Sequence, residues 1–85
     1  MSLSYLEDID RFYVCDAKHQ QIAEMTFTRL GQNQATINHT YIAPDYRGQG
    51  IAEKLLDLVV KKLQQENRKI IPICSFAIKK LNEQN

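Results

Sequence analysis

Alternating apolar and polar residues mark the first half of the chain as a set of β-strands. In residues 11–16, Phe12 and Val14 fall on one face, and residues 21–30 again carry apolar side chains at every second position. A third such segment, residues 35–43, is rich in Thr, Ile and Tyr. Short polar turns separate the three segments, so the pattern predicts an antiparallel meander.

The period of the pattern changes after Pro44. Between Gly50 and Glu66 the apolar residues cover one broad arc of a helical wheel, which predicts an amphipathic helix packed on a sheet. The following run KIIPIC, residues 69–74, is almost continuously apolar, as expected of a strand buried on both faces. Ser75 can then cap a short last helix. Strand, helix and strand make a βαβ crossover, and the predicted fold class is α+β: a mixed sheet with helices packed on it.

Length and composition narrow the class of protein. The 85 residues suffice for a single small domain, residues 1–85, with 44% hydrophobic and 25% charged residues, as in ordinary globular proteins. No stretch resembles a signal peptide or is long enough to span a bilayer. Cys15 and Cys74 form neither a CxxC pair nor a zinc-binding spacing. We therefore expect a cytoplasmic protein with free thiols, no bound metal and no membrane partner.

The net charge of +1 is small but unevenly distributed. Residues 1–43 carry three Arg and Lys against five Asp and Glu, whereas residues 44–85 carry eight against five. Because a nucleic acid usually requires several cations in a row, this distribution argues against a nucleic-acid partner and favours a small anionic ligand near the second half. The pair Lys61–Lys62 is alternatively part of an ordinary solvated helix face.

The stretch RGQGIA, residues 47–52, connects the third strand to the long helix and concentrates the candidate chemistry. The first N–H groups of a helix have no intrahelical partners, and the helix dipole adds partial positive charge there. Without side chains at Gly48 and Gly50 a phosphate can approach those groups, and Arg47 adds a full charge. The segment has Glu53 in place of the third glycine of a dinucleotide fingerprint and lacks the GK pair of a P-loop. Anion capture therefore competes with a purely structural tight turn.

The spacing R-x-x-G-x-A of residues 47–52 resembles the acetyl-CoA pyrophosphate loop of the GNAT superfamily of acetyltransferases. The longer stretch NHTYIAPDYRGQGIAEKLL, followed by KIIPICSF, resembles a very short subgroup of that superfamily. In that subgroup a His-Thr pair precedes the loop and a cysteine follows the last strand, and His39, Thr40 and Cys74 occupy those places here. The resemblance covers residues 35–76.

The resemblance implies a GNAT-like fold with acetyl-CoA as cosubstrate. It implies that the N–H groups of residues 49–52 bind the pyrophosphate, and that Tyr41 and Ile42 lie along the pantetheine, where a strand bulge exposes backbone groups in GNAT proteins. The implied cofactor-binding residues are Tyr41, Ile42, Arg47, Gly48, Gln49, Gly50, Ile51 and Ala52.

The implied activity is transfer of the acetyl group to an amine, which could be a protein N-terminus, a lysine, a polyamine or a small metabolite. Full-length GNAT proteins build part of the acceptor site from N-terminal helices and a C-terminal strand pair, and these 85 residues contain no counterpart of either. The alternative is therefore a CoA-binding module or sensor with little or no transferase activity. A protein that merely retains the fold is the third possibility.

Cys74 and His39 are the candidate catalytic residues. A thiol beside a helix N-terminus can act as a nucleophile, although most free cysteines are small buried apolar residues. Imidazole exchanges protons near neutral pH and can serve as a general base, although strict alternation places His39 on the face of Ile37 and Tyr41, as a packed residue. Since the third and fourth predicted strands are parallel neighbours, we expect both candidates near the edge of the sheet that carries the loop. Of acetyl transfer through Cys74 and direct transfer to the amine, we favour the second.

Overall fold

A computed structural model describes residues 2–83 of the chain. These residues form a five-stranded sheet in the order β1-β2-β3-β4-β5 with two α-helices. The elements are β1 (Ser4–Asp8), β2 (Arg11–Cys15), β3 (Gln21–Leu30), β4 (Gln34–Ile42), a 3-10 turn (Pro44–Tyr46), α1 (Ile51–Gln65), β5 (Lys69–Pro72) and α2 (Ser75–Glu83). Strands β1 to β4 pair antiparallel, and β5 joins β4 in parallel through α1. The predicted α+β fold with a βαβ crossover is confirmed.

The meander has one strand more than the hydrophobic pattern predicts. β1 pairs with β2 along its whole length, and Tyr5 lies opposite Val14. Apart from Tyr5, its side chains are exposed, because β1 is the edge of the sheet. The strand therefore carries little alternation of its own, and periodicity alone could not identify it.

Helix α1 covers one face of the sheet. Its buried side chains are Ile51, Leu55, Leu56, Val59 and Leu63. They share one core with the inward-facing residues of β2 to β4, of which Phe27 and Met25 are the largest that are fully buried. Ala77 of α2 belongs to the same core. Burial of this apolar arc holds the N-terminus of α1 against the end of β4.

A bulge interrupts β4 at Asn38. Phe27 lies opposite Ile37 and Thr26 lies opposite His39, so Asn38 is an extra residue with no residue directly opposite it on β3. The bulge reverses the alternation, and Ile37 is fully buried while His39 is exposed. The expectation that His39 shares the packed face of Ile37 is therefore wrong, because strict alternation does not hold across a bulge.

Side chains on the face opposite α1 hold the bulge in place. The Thr36 hydroxyl donates to Oδ1 of Asn38 over 2.6 Å. The amide Nδ2 of Asn38 in turn donates to the Thr28 hydroxyl over 2.7 Å. Both the amide oxygen and the amide nitrogen of the bulged residue thus have a partner, which favours this register over a slipped one.

Strands β4 and β5 separate soon after they meet. They pair only from Gln34 opposite Lys69 to Ile37 opposite Pro72, and β4 then continues to Ile42 without β5 beside it. The strand predicted over residues 69–74 is thus too long at its C-terminal end. It is also a partly exposed edge strand and not one buried on both faces. Beyond Ile37 a gap opens beside β4.

Glu66 fixes the opposite end of the crossover. Arg29 donates to its carboxylate through Nε and Nη2, both over 2.7 Å, and Nε of Arg68 donates over 2.7 Å. Arg68 also donates to the carbonyls of Gly31 and Gln34 over 3.0 Å each. These bonds, those from Arg29 first, lower the pKa of Glu66 to about 2. The C-terminus of α1 is therefore tied to β3 and to the β3–β4 turn.

Candidate functional site

Two glycines in the left-handed conformation shape the loop between β4 and α1. Gly48 has φ of 78° and Gly50, which caps the N-terminus of α1, has φ of 81°. L-residues with a side chain rarely adopt this conformation, so both positions require glycine or a close substitute. A Cβ at either position would meet no atom within 4 Å. The loop therefore presents bare backbone to an open space.

Among residues 2–83 no side chain caps the N-terminus of α1. The first bond within the helix runs from Lys54 N–H to the Gly50 carbonyl over 3.2 Å. The N–H groups of Ile51, Ala52 and Glu53 consequently have no intrahelical acceptor. Together with the positive end of the helix dipole they can attract an anion.

These groups face a cleft of about 260 Å³. Its lining residues are Ile42, Tyr46, Arg47, Gly48, Gly50, Ile51, Ala52, Glu53 and Phe76. The cleft brings together six of the eight residues that the sequence implied for the cofactor, whereas Tyr41 and Gln49 do not line it. Phe76 and Tyr46 were not predicted, because an aromatic residue near a loop carries no distinctive sequence signal.

Arg47 is anchored at the mouth of this cleft. Its Nε donates to the carbonyl of Ile42 over 2.9 Å, which holds the guanidinium against the end of β4. The Gln49 side chain folds back instead, and its Nε2 donates to the Asp45 carbonyl over 3.3 Å. The loop therefore has one fixed cation beside its bare backbone.

Backbone groups of β4 point into the gap beyond Ile37. The N–H of Ala43 donates to Ile22 on β3 over 2.7 Å, so every second residue before it, starting with Tyr41, also pairs with β3. Thr40 and Ile42 lie between those positions and direct their N–H and C=O groups into the gap. Of Tyr41 and Ile42, which the resemblance implies lie along a pantetheine, Ile42 directs its backbone groups into the gap, whereas the backbone of Tyr41 pairs with β3.

Cys74 lies where β5 has ended and α2 begins. The N–H of Ala77 donates to its Sγ over 3.4 Å, and the N–H of Ile78 donates to its carbonyl over 3.0 Å. Cys74 is thus the N-cap residue of α2, and Ser75, which the sequence suggested as the cap, is the first helical residue. The Cys74 backbone N–H is bound to the Ile37 carbonyl over 3.1 Å, so the thiol stands at the point where the strands diverge.

Thr40 contacts Cys74 across the gap. Its hydroxyl oxygen lies 3.4 Å from the Cys74 sulfur. Thr40 stands opposite the fully buried Met25, so this contact lies on the face that α1 covers. The resemblance includes Thr40 only as part of the His-Thr pair, and the sequence favours its neighbour His39 as the chemically active residue.

His39 lies on the opposite face of the sheet from Cys74. It is exposed, with Thr26 opposite it on β3. Tyr41, 42% exposed, follows on the same face beside Glu24, whose carboxylate binds Arg11 over 3.0 Å. Within residues 2–83 no hydrogen bond joins His39 to Cys74. The two candidate catalytic residues therefore lie near the gap on opposite faces of the sheet.

The uncapped N-terminus of α1, the gap between β4 and β5, and the Cys74 thiol follow one another in space along the end of β4. This arrangement suits an elongated ligand with an anionic group at one end and hydrogen-bonding groups along its length. Across residues 2–83 no group of three or more His, Cys, Asp or Glu could hold a metal ion. Neither of the helices in that range is long and apolar enough to cross a lipid bilayer.

Comparison with known proteins gives a consistent set of similarities. The profile of a family described as GCN5-related N-acetyl-transferase matches residues 11–85. The solution structure of a GCN5-like candidate N-acetyltransferase from Staphylococcus aureus is 33% identical with a TM-score of 0.77, over 95% of this chain and 79% of that one. No curated protein matches the sequence significantly.

More distant structures share the fold. A candidate acetyltransferase from Deinococcus radiodurans is 16% identical with a TM-score of 0.71, over 87% of this chain and 51% of that one. A candidate streptothricin acetyltransferase from Bacillus anthracis, solved in complex with acetyl coenzyme A, is 17% identical with a TM-score of 0.68, over 94% and 49%. This chain spans about half the length of these two proteins.

Proposed function

Because this chain belongs to the GCN5-related N-acetyltransferase family, we propose that it binds acetyl-CoA and transfers the acetyl group to an amine. One observation supports the proposal most. Among residues 2–83 the N-terminus of α1 has no side-chain cap, follows two left-handed glycines, and shares a cleft with Ile42 at the end of β4, past the point where β4 and β5 separate. A pyrophosphate needs the uncapped N–H groups, and an extended amide chain needs the gap between the strands.

The pyrophosphate would sit at the loop. The N–H groups of residues 49–52 donate to its oxygens, Gly48 and Gly50 leave room for the approach, and Arg47 supplies a charge. Glu53 lines the same cleft and favours the helix through the dipole. Its carboxylate repels phosphate, so the pyrophosphate should lie toward the glycine side of the cleft.

The pantetheine would extend through the gap. Its two amides pair with the gap-facing backbone groups of Thr40 and Ile42, in the manner of an added strand. The Ile42 carbonyl already accepts from Arg47, and a carbonyl oxygen has a second lone pair for a ligand amide. The side chain of Tyr41, which is 42% exposed, would contact the ligand from the face of the sheet that carries His39. The complex of the Bacillus anthracis relative with acetyl coenzyme A supports this choice of ligand.

The thioester would then end beside Cys74 and Thr40. In direct transfer the acceptor amine attacks the thioester carbonyl carbon, and the tetrahedral intermediate collapses with loss of the CoA thiolate. The amine proton passes to His39 or to a water that His39 orients, and Cys74 shapes the site. The protein supplies proximity and backbone N–H groups that polarise the carbonyl.

A CoA-binding module without efficient transfer is the second candidate function. It is favoured by the positions of Cys74 and His39 on opposite faces of the sheet, with no hydrogen bond between them in the described part of the chain. In that case CoA would bind with the same contacts, and no amine would be acetylated.

Calorimetry with CoA tests the site. Gly50→Glu places a side chain and a negative charge where the pyrophosphate belongs, so we expect at least a tenfold loss of affinity. Gly31→Glu is the matched control, because Gly31 also has positive φ, of 57°, but lies in the β3–β4 turn. Equal affinity of the folded Gly50→Glu variant and the wild type would remove the loop from the site.

Release of free CoA thiol from acetyl-CoA separates the two candidate functions. It is followed by a thiol reagent in the presence of a protein N-terminal peptide, a lysine peptide, a polyamine and a small amine. Amine-dependent release supports the transferase. Tight CoA binding without release for any amine supports the binding module.

A further inference from the structure

Strand β1 forms one edge of the sheet, and in residues 2–83 no further strand lies beside it. We propose that this edge pairs antiparallel with β1 of a second copy of the chain, about a two-fold axis at Leu6. The two five-stranded sheets then join into one continuous sheet. The interface lies at the edge opposite β5, away from the proposed CoA site.

The two edges of the sheet differ in how well they resist pairing. β5 has four residues and includes Lys69 and Pro72, which are typical of protected edge strands. β1 has five residues, pairs with β2 without a register shift, and contains no lysine, proline or glycine. It therefore lacks the usual features that keep an exposed edge from pairing with another chain.

The free backbone groups of β1 have the spacing that a second β1 requires. Two residues connect Asp8 to Arg11, so this closing pair exchanges its backbone hydrogen bonds. By the alternation of an antiparallel ladder, Leu6 bonds β2 in the same way, and the N–H and C=O groups of Tyr5 and Glu7 point outward. With Leu6 at the axis, Tyr5 of each copy exchanges both of its bonds with the partner's Glu7.

The side chains of β1 are self-complementary in this register. Leu6 lies on the face of the sheet opposite α1, is 40% exposed, and would pack directly on the partner's Leu6. On the same face Ser4 would lie opposite the partner's Asp8, and its hydroxyl can donate to that carboxylate. No two like charges face each other across the axis.

The charges on the other face also favour a second copy. Tyr5 lies on the face that α1 covers, and the Nζ of Lys54 lies 4.3 Å from the centroid of its ring. The partner's Glu7 would come to lie opposite Tyr5, within reach of Lys54. In its own chain the Glu7 carboxylate already binds Nζ of Lys62 over 2.9 Å. Each Glu7 would therefore lie between a lysine of its own chain and a lysine of the partner.

Sedimentation velocity tests the association. A strand of five residues is small beside the roughly 20–30 residues a side of a standard interface, so the dimer should be weak and depend on concentration. From about 10 µM to 1 mM we expect the average mass to rise toward that of a dimer.

Leu6→Lys places two cations directly opposite each other at the axis, so it should weaken association by about tenfold or more. Leu30→Lys is the matched control. Leu30 is 42% exposed, lies at the end of β3 away from β1, and its variant should associate like the wild type.

A disulfide tests the register. The two copies of residue 6 form a non-hydrogen-bonded pair with Cα atoms about 4.5 Å apart, within the range of about 4.4–6.8 Å that a disulfide spans. Leu6→Cys should therefore give a covalent dimer with glutathione disulfide, which is reduced to two thiols as the introduced pair is oxidised. Asp8→Cys is the control, because its copies would lie roughly 13 Å apart. Both are made with Cys15→Ser, since Cys15 lies on the neighbouring strand.

Three results overturn the inference: a wild type that stays monomeric over this range, a Leu6→Lys variant that associates as tightly as the wild type, or equal crosslinking of the two cysteine variants. Because β1 and the gap beside β4 lie toward opposite edges of the sheet, Leu6→Lys should bind CoA with wild-type affinity. The failure of this inference thus leaves the proposed function standing, and the reverse also holds.

Discussion

The sulfur of Cys74 lies 3.4 Å from the hydroxyl oxygen of Thr40, on the two sides of the gap where β4 and β5 separate. Thr40 reaches this position because the bulge at Asn38 turns it toward the covered face. Cys74 reaches it as the N-cap of α2. The contact therefore marks where the two strands and the second helix meet, at the inner end of the proposed pantetheine path.

CoA should protect Cys74 from alkylation. The proposed path would bring the end of the pantetheine beside the Cys74 sulfur, so iodoacetamide should label Cys74 at least tenfold more slowly at saturating CoA. Cys15, which is also free and partly exposed, lies on β2 away from the gap and serves as an internal control. Peptide mass spectrometry measures both rates. Equal protection of the two cysteines, or of neither, contradicts this path.

Gly50→Ala should reduce stability through the backbone alone. The added Cβ meets no atom within 4 Å, but φ of 81° is unfavourable for alanine. We expect the free energy of unfolding to fall by about 1–2 kcal/mol in urea denaturation. Gly50→Asn should cost less, since asparagine tolerates this conformation and is a good N-cap residue. A Gly50→Ala variant as stable as the wild type would mean that the loop relaxes to another conformation.

The sequence was sufficient for the elements whose apolar pattern is strong. The period of α1 and the glycine loop follow directly from residues 47–66, since burial of a broad arc and a left-handed turn leave clear signals. β1 was missed because an edge strand needs little burial. The end of β5 was instead predicted too long, because the apolar sequence continues after pairing with β4 has stopped.

The relationship between the candidate catalytic residues could not be obtained from the sequence. Their proximity to one edge follows from the parallel pairing of β4 and β5. Their separation onto two faces depends on the single extra residue Asn38, which changes the phase of every later side chain. The sequence Thr-Ile-Asn-His-Thr contains no glycine or proline to reveal that bulge. Local alternation therefore assigned His39 to the wrong face.

Stability should decline in acid because of Glu66. The folded state holds the pKa of Glu66 at about 2 against an ordinary value of 4.5, so the unfolded chain takes up the proton first as pH falls. The contribution of Glu66 is fully present above pH 4.5 and is lost progressively toward pH 2. Thermal unfolding between pH 7 and 2.5 should show a shallower decline in Glu66→Gln than in the wild type. Glu53→Gln controls for the loss of one carboxylate on the same crossover, and a Glu66→Gln curve parallel to the wild type contradicts the prediction.

CoA affinity should fall with ionic strength. The cleft is open to solvent, and charges at such a site are screened over roughly 8–10 Å near physiological salt. Arg47 is the cation fixed at the cleft, so Arg47→Gln should weaken CoA and also flatten its salt dependence. Calorimetry from 50 to 500 mM salt (~tenfold in ionic strength) measures both slopes. A wild-type affinity that is independent of salt would leave only backbone contacts and steric fit.

Acetyl-CoA alone should leave the mass of the protein unchanged. If Cys74 were the nucleophile, its sulfur would attack the thioester carbonyl, expel the CoA thiolate and gain one acetyl group. Direct transfer requires no such species, and a thioester on Cys74 at an open gap would hydrolyse readily. Intact-mass spectrometry after rapid mixing distinguishes the two. A prompt gain of one acetyl group in the wild type that is absent in Cys74→Ala would establish the covalent route.

Direct transfer instead predicts that Cys74→Ala retains most activity, whereas His39→Ala loses activity most strongly below the pKa of the acceptor amine, where a base is needed. If both variants keep full activity, neither residue has a catalytic role, and the amine must lose its proton to solvent.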